Sequence, residues 1–172
     1  IIAMADQVIF TSMDYGQSSN IAKLINLNPA KFTEVPNGVD SSNFLPTQKD
    51  SELLAKHEID ASDKVALFVG GLDKAHYFKG IEHLIEAMGL LRDVNYEWKM
   101  IIVGDGDLKQ HYMDLAAQLN LQRRIIFPGY VSNADLPKYY NLADVVVLPS
   151  VDKSEAFGMA LVEGMSCGIC RV

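Results

Sequence analysis

From Val65 onward, the chain alternates short, almost continuously apolar runs with longer segments in which apolar residues recur at helical spacing. The apolar runs are Val65 to Val69, Met100 to Val103, Ile125 to Phe127 and Val145 to Leu148. Strands this apolar are typical of a parallel sheet with helices on both faces, because no side chain then faces water. The alternation predicts an α/β fold: a Rossmann-like parallel sheet with flanking helices.

Four helices are predicted around these strands. Apolar stripes from Ile81 to Leu91 and from Leu108 to Leu119 lie between the first three strands. A third helix is expected from Asp135 to Ala143, before the last strand, and a fourth from Phe157 to Cys167, after it. Each helix would cover one part of the sheet.

The N-terminal stretch differs in character from the rest of the chain. Strands are predicted at Val8 to Phe10 and at Phe32 to Val35, on either side of a helix from about Ser18 to Leu27. A turn at 36–38 and a polar stretch from Ser41 to Ser51 follow. This composition indicates a small unit that is separate from the main domain.

Charge and cysteine usage restrict the function classes. The 172 residues carry a formal net charge of −7, whereas a nucleic-acid binder would show a basic stripe, so we expect no nucleic-acid partner. No apolar run approaches the roughly 20 residues that cross a bilayer. The two cysteines, Cys167 and Cys170, do not form the wide disulfide framework of a secreted protein, which favours a reducing, cytoplasmic setting.

The candidate binding groups follow the strands, since open parallel sheets bind ligands at the carboxyl ends of their strands. After the first strand, Gly70 and Gly71 allow close backbone approach, and Lys79 adds its charge to the positive end of the next helix. Gly104 follows the second strand in a similar turn, and Tyr130, after the third, is placed to border a flat base. The same residues also fit a tight turn with a solvated lysine and a rim aromatic, and neither a P-loop nor a dinucleotide fingerprint is present.

Two glutamates, Glu155 and Glu163, stand on either side of Phe157-Gly158 near the end of the chain. If helical, they lie roughly 12 Å apart, too far to share one bond as acid and base but suited to hydroxyls at opposite ends of a long ligand. Free N–H groups near Phe157 and Gly158 would face an anion between them. Such a ligand is a nucleotide sugar. The alternative is a helix-start carboxylate at Glu155 and an exposed helix position at Glu163.

Together, these stretches resemble the retaining glycosyltransferases of family 4. The resemblance covers essentially the whole chain, and its most specific part is a Glu-x7-Glu spacing that contains Phe-Gly. It is carried by "ADQVIFTS", "VPNGVDSSNF", "FVGGLDKAHYFKG", "IIVGDGDLKQ", "IIFPGYVSNADLPKYYNLADVVVLPS" and "EAFGMALVEGMSCG". The family has the GT-B architecture of two Rossmann-like domains, and its C-terminal domain binds the nucleotide-sugar donor without an obligatory metal.

The resemblance also implies a role for each matching position. Lys79 and Glu155 would be the catalytic residues, with Lys79 neutralising the diphosphate and Glu155 holding hydroxyls of the transferred sugar. Glu163 would bind the ribose. The remaining donor-binding positions would be Gly70, Gly71, Gly104, Tyr130, Val131, Phe157, Gly158 and Met159, whose loops and backbone border the phosphates and the base.

The chain departs from the family pattern in three places. Gly71 stands where the family usually has an arginine or lysine, and Lys74 or His76 would have to supply the missing donor. After "MSCG" the family continues with a proline and a strand, so the donor-binding domain, residues 45–172, is expected to be truncated. Residues 1–44 resemble only the last strand-helix-strand of the N-terminal domain plus the hinge.

From this pattern we expect the donor-binding portion of a glycosyltransferase, which would be inactive as a fragment. The donor would be a UDP-, GDP- or ADP-sugar, and the acceptor a glycan, lipid or small molecule bound through the missing N-terminal domain. Peripheral membrane association of the full-length enzyme is compatible with this function. Two alternatives stay open: a non-catalytic module that binds nucleotide sugars, and a sugar-nucleotide epimerase of related fold.

Overall fold

The computed structural model describes residues 2–91, 97–152, 154–155 and 157–171, and it contains two parallel sheets. The smaller sheet pairs β1 (Val8–Phe10) with β2 (Phe32–Glu34). The larger sheet consists of β3 (Lys64–Val69), β4 (Trp98–Val103), β5 (Ile125–Gly129), β6 (Val145–Val146) and β7 (Cys170–Arg171), in the order β5-β4-β3-β6-β7. The predicted α/β class, with a parallel sheet and flanking helices, is confirmed.

The helices connect these strands. They are α1 (Met13–Ser18), α2 (Ala22–Leu27), α3 (Ser51–Lys56), α4 (Ile81–Leu90), α5 (Lys109–Gln118), α6 (Leu136–Leu142) and α7 (Met159–Ser166). Along the chain, α1 and α2 lie between the two strands of the smaller sheet, and α4 to α7 between those of the larger one. Short 3-10 turns also occur, including one at Lys74–Lys79 that is kinked at His76. Within the described part of the chain, none of the helices has both the length and the apolar character needed to pass through a bilayer.

The central strands are apolar because both faces of the sheet are buried. Successive side chains of a strand point to opposite faces, and in β3 the buried Leu67 belongs to one core cluster while its neighbour Phe68 belongs to the other. In β4, Ile101 and Ile102 divide in the same way. All four side chains are completely buried, so an apolar residue is needed at every position rather than at every second one.

The helix predicted from about Ser18 to Leu27 is present as α2, but it begins only at Ala22. A further helix that was not predicted, α1, ends at Ser18, and residues 19–21 separate the two. The Ser19 hydroxyl donates to the Gly16 carbonyl at 2.7 Å and accepts the Ile21 amide at 3.3 Å. A side chain that replaces backbone partners in this way ends one helix and begins the next.

Three further elements differ from the sequence-based expectation. The predicted strand Val145 to Leu148 is shortened to two residues. The polar stretch before the main domain leads into α3, whose first turn is capped by Asp50 accepting the Leu53 amide at 3.0 Å. After Gly168, Cys170–Arg171 adds a parallel strand to β6, so the described chain continues the sheet past its last helix.

The strand order reverses direction next to β3. The chain runs outward from β3 through β4 to β5, and then returns to place β6 and β7 on the other side of β3. The crevice of an open α/β sheet lies at this kind of reversal, outside the carboxyl ends of the two strands that flank it. The loops after β3 and β6 therefore meet at the expected ligand position.

The reversal is stabilised at the opposite strand ends by Asp144, the residue before β6. Its carboxylate accepts the Val65 amide at 2.9 Å and the ammonium group of Lys49 at 3.1 Å, with Lys64 at 3.4 Å. Burial by itself raises the pKa of Asp144, but the Val65 amide and Lys49 outweigh burial, so the pKa lies below its usual value. The ionised carboxylate therefore stabilises the folded state.

We expect Asp144→Asn to lower the free energy of unfolding by about 1–3 kcal/mol at pH 7, because the charge-assisted bonds at the start of β3 are lost. A group whose pKa is lowered by folding contributes fully above its unfolded pKa, about 3.9 for aspartate, and loses its contribution as the pH falls through the folded value. Urea unfolding at several pH values should show that the difference in the free energy of unfolding between the parent protein and Asp144→Asn becomes smaller below about pH 5.

The matched control is Asp60→Asn, since Asp60 is an exposed carboxylate. A similar loss in this control, or a difference between Asp144→Asn and the parent protein that stays constant down to about pH 3, would contradict the assigned role of Asp144.

Candidate functional site

The loops after β3 and β6 are held against each other directly at the crevice. The Val151 amide donates to the Phe78 carbonyl at 2.8 Å. Gly80 has φ +68°, and a Cβ atom at this position would lie 2.2 Å from the Pro149 carbonyl oxygen. Only glycine combines that backbone conformation with such a close approach. The contact places Lys79, the residue before Gly80, opposite the loop after β6.

Lys79 and Glu155 form an ion pair in the crevice. The Lys79 ammonium lies 2.5 Å from Oε2 of Glu155, and the two side chains are only 15% and 19% exposed. The same oxygen accepts the Ser150 hydroxyl at 3.2 Å, while Oε1 accepts the Gly158 amide at 3.1 Å. Glu155 therefore lies in the loop and faces the crevice, and it also has the helix-start role that the alternative interpretation gave it.

The expectation of a free amide at Gly158 is wrong. The Gly158 N–H donates to the Glu155 side chain and so is not open to an anion. The first amides of α7, at Met159 and Ala160, have no intrahelical acceptor because they open the helix. The amides that can face an anion are therefore those of Met159, which was among the predicted positions, and Ala160, which was not, at the same positive helix end.

Glu163 lies one turn inside α7, where its carboxylate contacts the protein core. Oε2 of Glu163 accepts the hydroxyl of Tyr140 at 2.6 Å. Tyr140 is completely buried, and burial, followed by the bond to Glu163, raises its pKa far above the usual value. Tyr140 therefore stays protonated and donates, while the half-buried Glu163 accepts.

The charged groups surround one cavity of about 490 Å³, which we call the Lys79 cavity. Of the predicted site residues, it is lined by Gly71, His76, Lys79, Glu155, Phe157, Gly158, Met159 and Glu163. A cationic amine and a helix start thus share a space with two carboxylates that are anchored separately. Such a space can hold an anion between two sets of hydroxyl groups.

A second cavity, of about 320 Å³, adjoins the first and is called the Tyr130 cavity here. It contains the other predicted site residues except Lys74, namely Gly70, Gly104, Tyr130 and Val131, and shares Gly71 with the Lys79 cavity. Tyr130 is 77% exposed, as expected for a rim aromatic, whereas Val131 packs against the core. The predicted residues are therefore divided between two neighbouring spaces.

Gly104 makes a close backbone approach, as its predicted turn allows, and the backbone that it approaches is that of Gly70. Its φ is +148°, and a Cβ atom would lie 1.9 Å from the Gly70 carbonyl oxygen. The Gly70 amide in turn donates to the Val103 carbonyl at 3.0 Å. The glycine thus brings the loops after β3 and β4 together, in addition to lining the cavity.

His76 and Lys74 are the two candidates to replace the arginine or lysine that the family usually has at position 71, and they differ in position. A Cβ atom on Gly71 would lie 2.7 Å from Nδ1 of His76, so the imidazole fills the space next to the glycine. Asp73 holds this ring at 2.8 Å, and the hydrogen bond from His76 lowers the pKa of Asp73. Lys74 lines neither cavity; its side chain is 80% exposed and lies 3.9 Å from Asp107.

Several residues around the Lys79 cavity were not identified from the sequence. Asn37, Phe78 and Ser154 also line it, and the Phe78 ring lies beneath the Lys79 ammonium at 5.6 Å. Asn37 lies in a Pro-Asn-Gly stretch that indicated only a turn. Tyr140 carried no sequence signal, because its contact with Glu163 depends on how α6 packs against α7.

Comparison with known proteins gives consistent matches. The family model described as "Glycosyl transferases group 1" matches residues 49–172. An uncharacterized glycosyltransferase of Methanocaldococcus jannaschii is 34% identical over 151 residues, which are 86% of this chain and 37% of that protein.

Solved structures show the same fold. The sucrose-phosphate synthase of Thermosynechococcus elongatus superposes with a TM-score of 0.77 at 26% identity, covering 97% of this chain and 40% of that one. The Anabaena protein HepE, crystallised with UDP and glucose, has a TM-score of 0.77 over 97% of this chain and 44% of its own; at 23% identity it shows the fold alone. The chain thus spans about two fifths of the length of these proteins.

The packing of His76 on Gly71 can be tested with a double-mutant cycle. We expect Gly71→Ala to lower the free energy of unfolding by about 1 kcal/mol, because the added methyl group displaces the imidazole from Asp73. In a His76→Ala background the same change should be neutral or stabilising, since alanine reduces the entropy of the unfolded chain. Urea unfolding of the four proteins measures the coupling. Equal effects in both backgrounds would show that His76 does not occupy this space.

Proposed function

The chain belongs to the glycosyl transferases group 1 family, and from that premise we propose that it forms the nucleotide-sugar-binding part of a retaining glycosyltransferase of family 4. The observation that carries the proposal is the grouping of Lys79, Glu155 and Glu163 around one cavity at the reversal of the strand order. Such a cavity offers a cation for a diphosphate and carboxylates for hydroxyl groups on either side of it.

Lys79 is the group that would stabilise the departing diphosphate. Its ammonium is largely shielded from water. In such surroundings the electric field of the charge is stronger than in bulk solvent. The opening amides of α7, at Met159 and Ala160, add the partial positive charge of a helix start. Charge that is in place before the reaction lowers the barrier to the loss of an anionic leaving group, so no divalent metal is required in this proposal.

The other contacts follow from the two cavities. Glu155 would accept hydroxyls of the transferred sugar, and Glu163 those of the ribose. The Tyr130 cavity would hold the base, with Tyr130 and Val131 beside it, and Gly70 and Gly71 allow the phosphates to approach the backbone between the two cavities. His76 would supply the donor that Gly71 lacks, since its ring lines the Lys79 cavity.

When the nucleotide sugar binds, its groups must take the place of the ion pair between Lys79 and Glu155. Each is the other's charged partner in this structure, at 2.5 Å. A diphosphate would take over the ammonium group, and a sugar hydroxyl would donate to the released carboxylate oxygen. The pair thus keeps both charges compensated until the two halves of a nucleotide sugar arrive together.

The complete enzyme would transfer the sugar to a glycan, lipid or small molecule in the cytoplasm, with peripheral membrane association compatible with a lipid acceptor. In this proposal, residues 1–44 belong to the preceding domain and its hinge, and residues 45–172 to the donor-binding domain. Transfer needs an acceptor held against the donor sugar, and such positioning contributes a large part of the rate. The 172-residue chain by itself is therefore expected to bind the donor without turnover.

The proposed function is tested by a thermal-shift screen of the chain over UDP-, GDP- and ADP-sugars, with and without EDTA. Structures of the Anabaena protein with UDP and glucose and with UDP-glucose make UDP and UDP-glucose the first compounds to use. A ligand that binds only the native state raises the melting temperature, and we expect one base to give the largest rise, unchanged by EDTA. A screen without any shift would overturn the proposal.

Two substitutions test the site itself. Lys79→Ala and Glu163→Ala should each weaken binding of the best donor by about 1–3 kcal/mol, the scale of a lost charge-assisted hydrogen bond. Lys74→Ala is the matched control, because it removes the same charge from the same loop but outside the cavities. Titration calorimetry should show its affinity within about twofold of the parent protein. Parent-like affinity in both site variants would exclude this site.

Glu155→Gln should have different effects on the affinity for the diphosphate part of the donor and on the affinity for its sugar. The substitution frees Lys79, so affinity for the nucleoside diphosphate alone should rise by about threefold to tenfold. Affinity for the nucleotide sugar should gain less or fall, because the amide is a weaker acceptor for the sugar hydroxyls. Calorimetry with both ligands measures this change in preference. A parallel loss of affinity for both would contradict the exchange of partners proposed for Lys79.

A further inference from the structure

The hydrogen bond between Tyr140 and Glu163 joins the protein core to the Lys79 cavity. The Tyr140 ring is completely buried in α6 and packs edge-on against Phe44, with ring centres 5.8 Å apart. Its hydroxyl reaches Oε2 of Glu163 at 2.6 Å, and the Glu163 side chain also lines the cavity. One carboxylate thus contacts a buried donor and the ligand space at the same time.

The helix that carries Glu163 packs closely on β6, beside this tyrosine. A Cβ atom on Gly164 would lie 2.7 Å from Cγ2 of Val146, so glycine is needed for this approach, and 3.6 Å from Cδ1 of Tyr140, an ordinary packing distance. The close packing of α7 on β6 places Glu163, the residue before Gly164, next to the tyrosine hydroxyl.

The helix that carries Tyr140 is anchored in turn by the buried Asn141. The Asn141 side chain accepts the Thr47 amide at 2.7 Å and donates to the carbonyls of Leu45 and Pro137 at 2.9 and 2.8 Å. A satisfied buried network of this kind restrains the backbone on both sides of it. The tyrosine hydroxyl consequently has a defined position.

We propose that Tyr140 is a positioning residue that holds the Glu163 carboxylate in one orientation from inside the core and thereby sets how strongly the site selects ribose hydroxyls. The inference rests on the proposed function of Glu163. Within the described part of the chain, no donor is observed at Oε1 of Glu163, whereas Oε2 is committed to the tyrosine. A ribose hydroxyl then meets a carboxylate whose rotamer is already restricted, which lowers the entropic cost of binding.

The experiment compares UDP with 2′,3′-dideoxy-UDP, which lacks the ribose hydroxyls, or the same pair in the base that the thermal-shift screen selects. The preference for UDP over the dideoxy compound is measured by calorimetry on the 172-residue chain. We expect Tyr140→Phe to reduce this preference by about tenfold, mainly through weaker binding of UDP, because Glu163 no longer has a fixed orientation. Affinity for the dideoxy compound should change little.

Tyr139→Phe is the matched control. It removes a hydroxyl from the adjacent buried tyrosine of the same helix, but that hydroxyl contacts Nε2 of His57 at 3.1 Å rather than Glu163. A general loosening of α6 would reduce the ribose preference in both variants, whereas a positioning role reduces it only in Tyr140→Phe. Equal effects in the two variants would overturn the inference.

A double variant keeps the test decisive if Tyr140→Phe does not fold. Glu163→Ala removes the half-buried carboxylate that Tyr140→Phe would leave without its tyrosine donor, so the pair of substitutions should fold where the single one does not. If Tyr140 acts through Glu163, adding Tyr140→Phe to Glu163→Ala leaves the ribose preference unchanged. A further decrease in the double variant would overturn the inference.

The outcomes also separate this inference from the proposed function. If the parent chain binds no nucleotide, both are wrong. If the parent chain binds and prefers UDP over the dideoxy compound, and folded Tyr140→Phe keeps that preference in full, only the role of Tyr140 is wrong.

Discussion

The candidate site depends on the close approach of two loops at the reversal of the strand order. Gly80, in a left-handed conformation, leaves room for the Pro149 carbonyl oxygen, which any side chain would clash with. Together with the hydrogen bond from Val151 to Phe78, this approach places Lys79 against the loop that carries Glu155. Because β3 and β6 are neighbouring parallel strands, their following loops already share one edge of the sheet, and glycine removes the remaining separation.

The two glutamates are fixed by different parts of the molecule. Glu155 is held within its own loop by Ser150 and the Gly158 amide, and it faces the lysine. Glu163 is held by Tyr140 from inside the core. A ligand that contacts both carboxylates is therefore positioned by a loop at one end and by the core at the other. Under the proposed function, this difference fits separate roles for the two acids, Glu155 toward the transferred sugar and Glu163 toward the ribose.

How far the sequence predicts the fold depends on whether the local pattern and the packing agree. The strands predicted at Val65 to Val69 and Met100 to Val103 are present at 64–69 and 98–103, because burial on both faces produces a continuous apolar run. The helix expected from about Ser18 to Leu27 begins later, at Ala22, because Ser19 bonds to the backbone on both sides of it. Strand β6 is shorter than its apolar run, since apolar side chains record burial and not the number of ladder bonds.

The sequence by itself determined the chemical groups of the site and their place in the chain: a lysine after a glycine pair, and two glutamates around Phe-Gly. These follow from residue type and from the rule that loops at one sheet edge converge. Only the tertiary structure decided which groups have partners. In the folded chain the Gly158 amide donates to Glu155, His76 occupies the space beside Gly71, and Lys74 lies outside both cavities. The sequence does not show these positions, because they depend on the directions that side chains take when the chain packs.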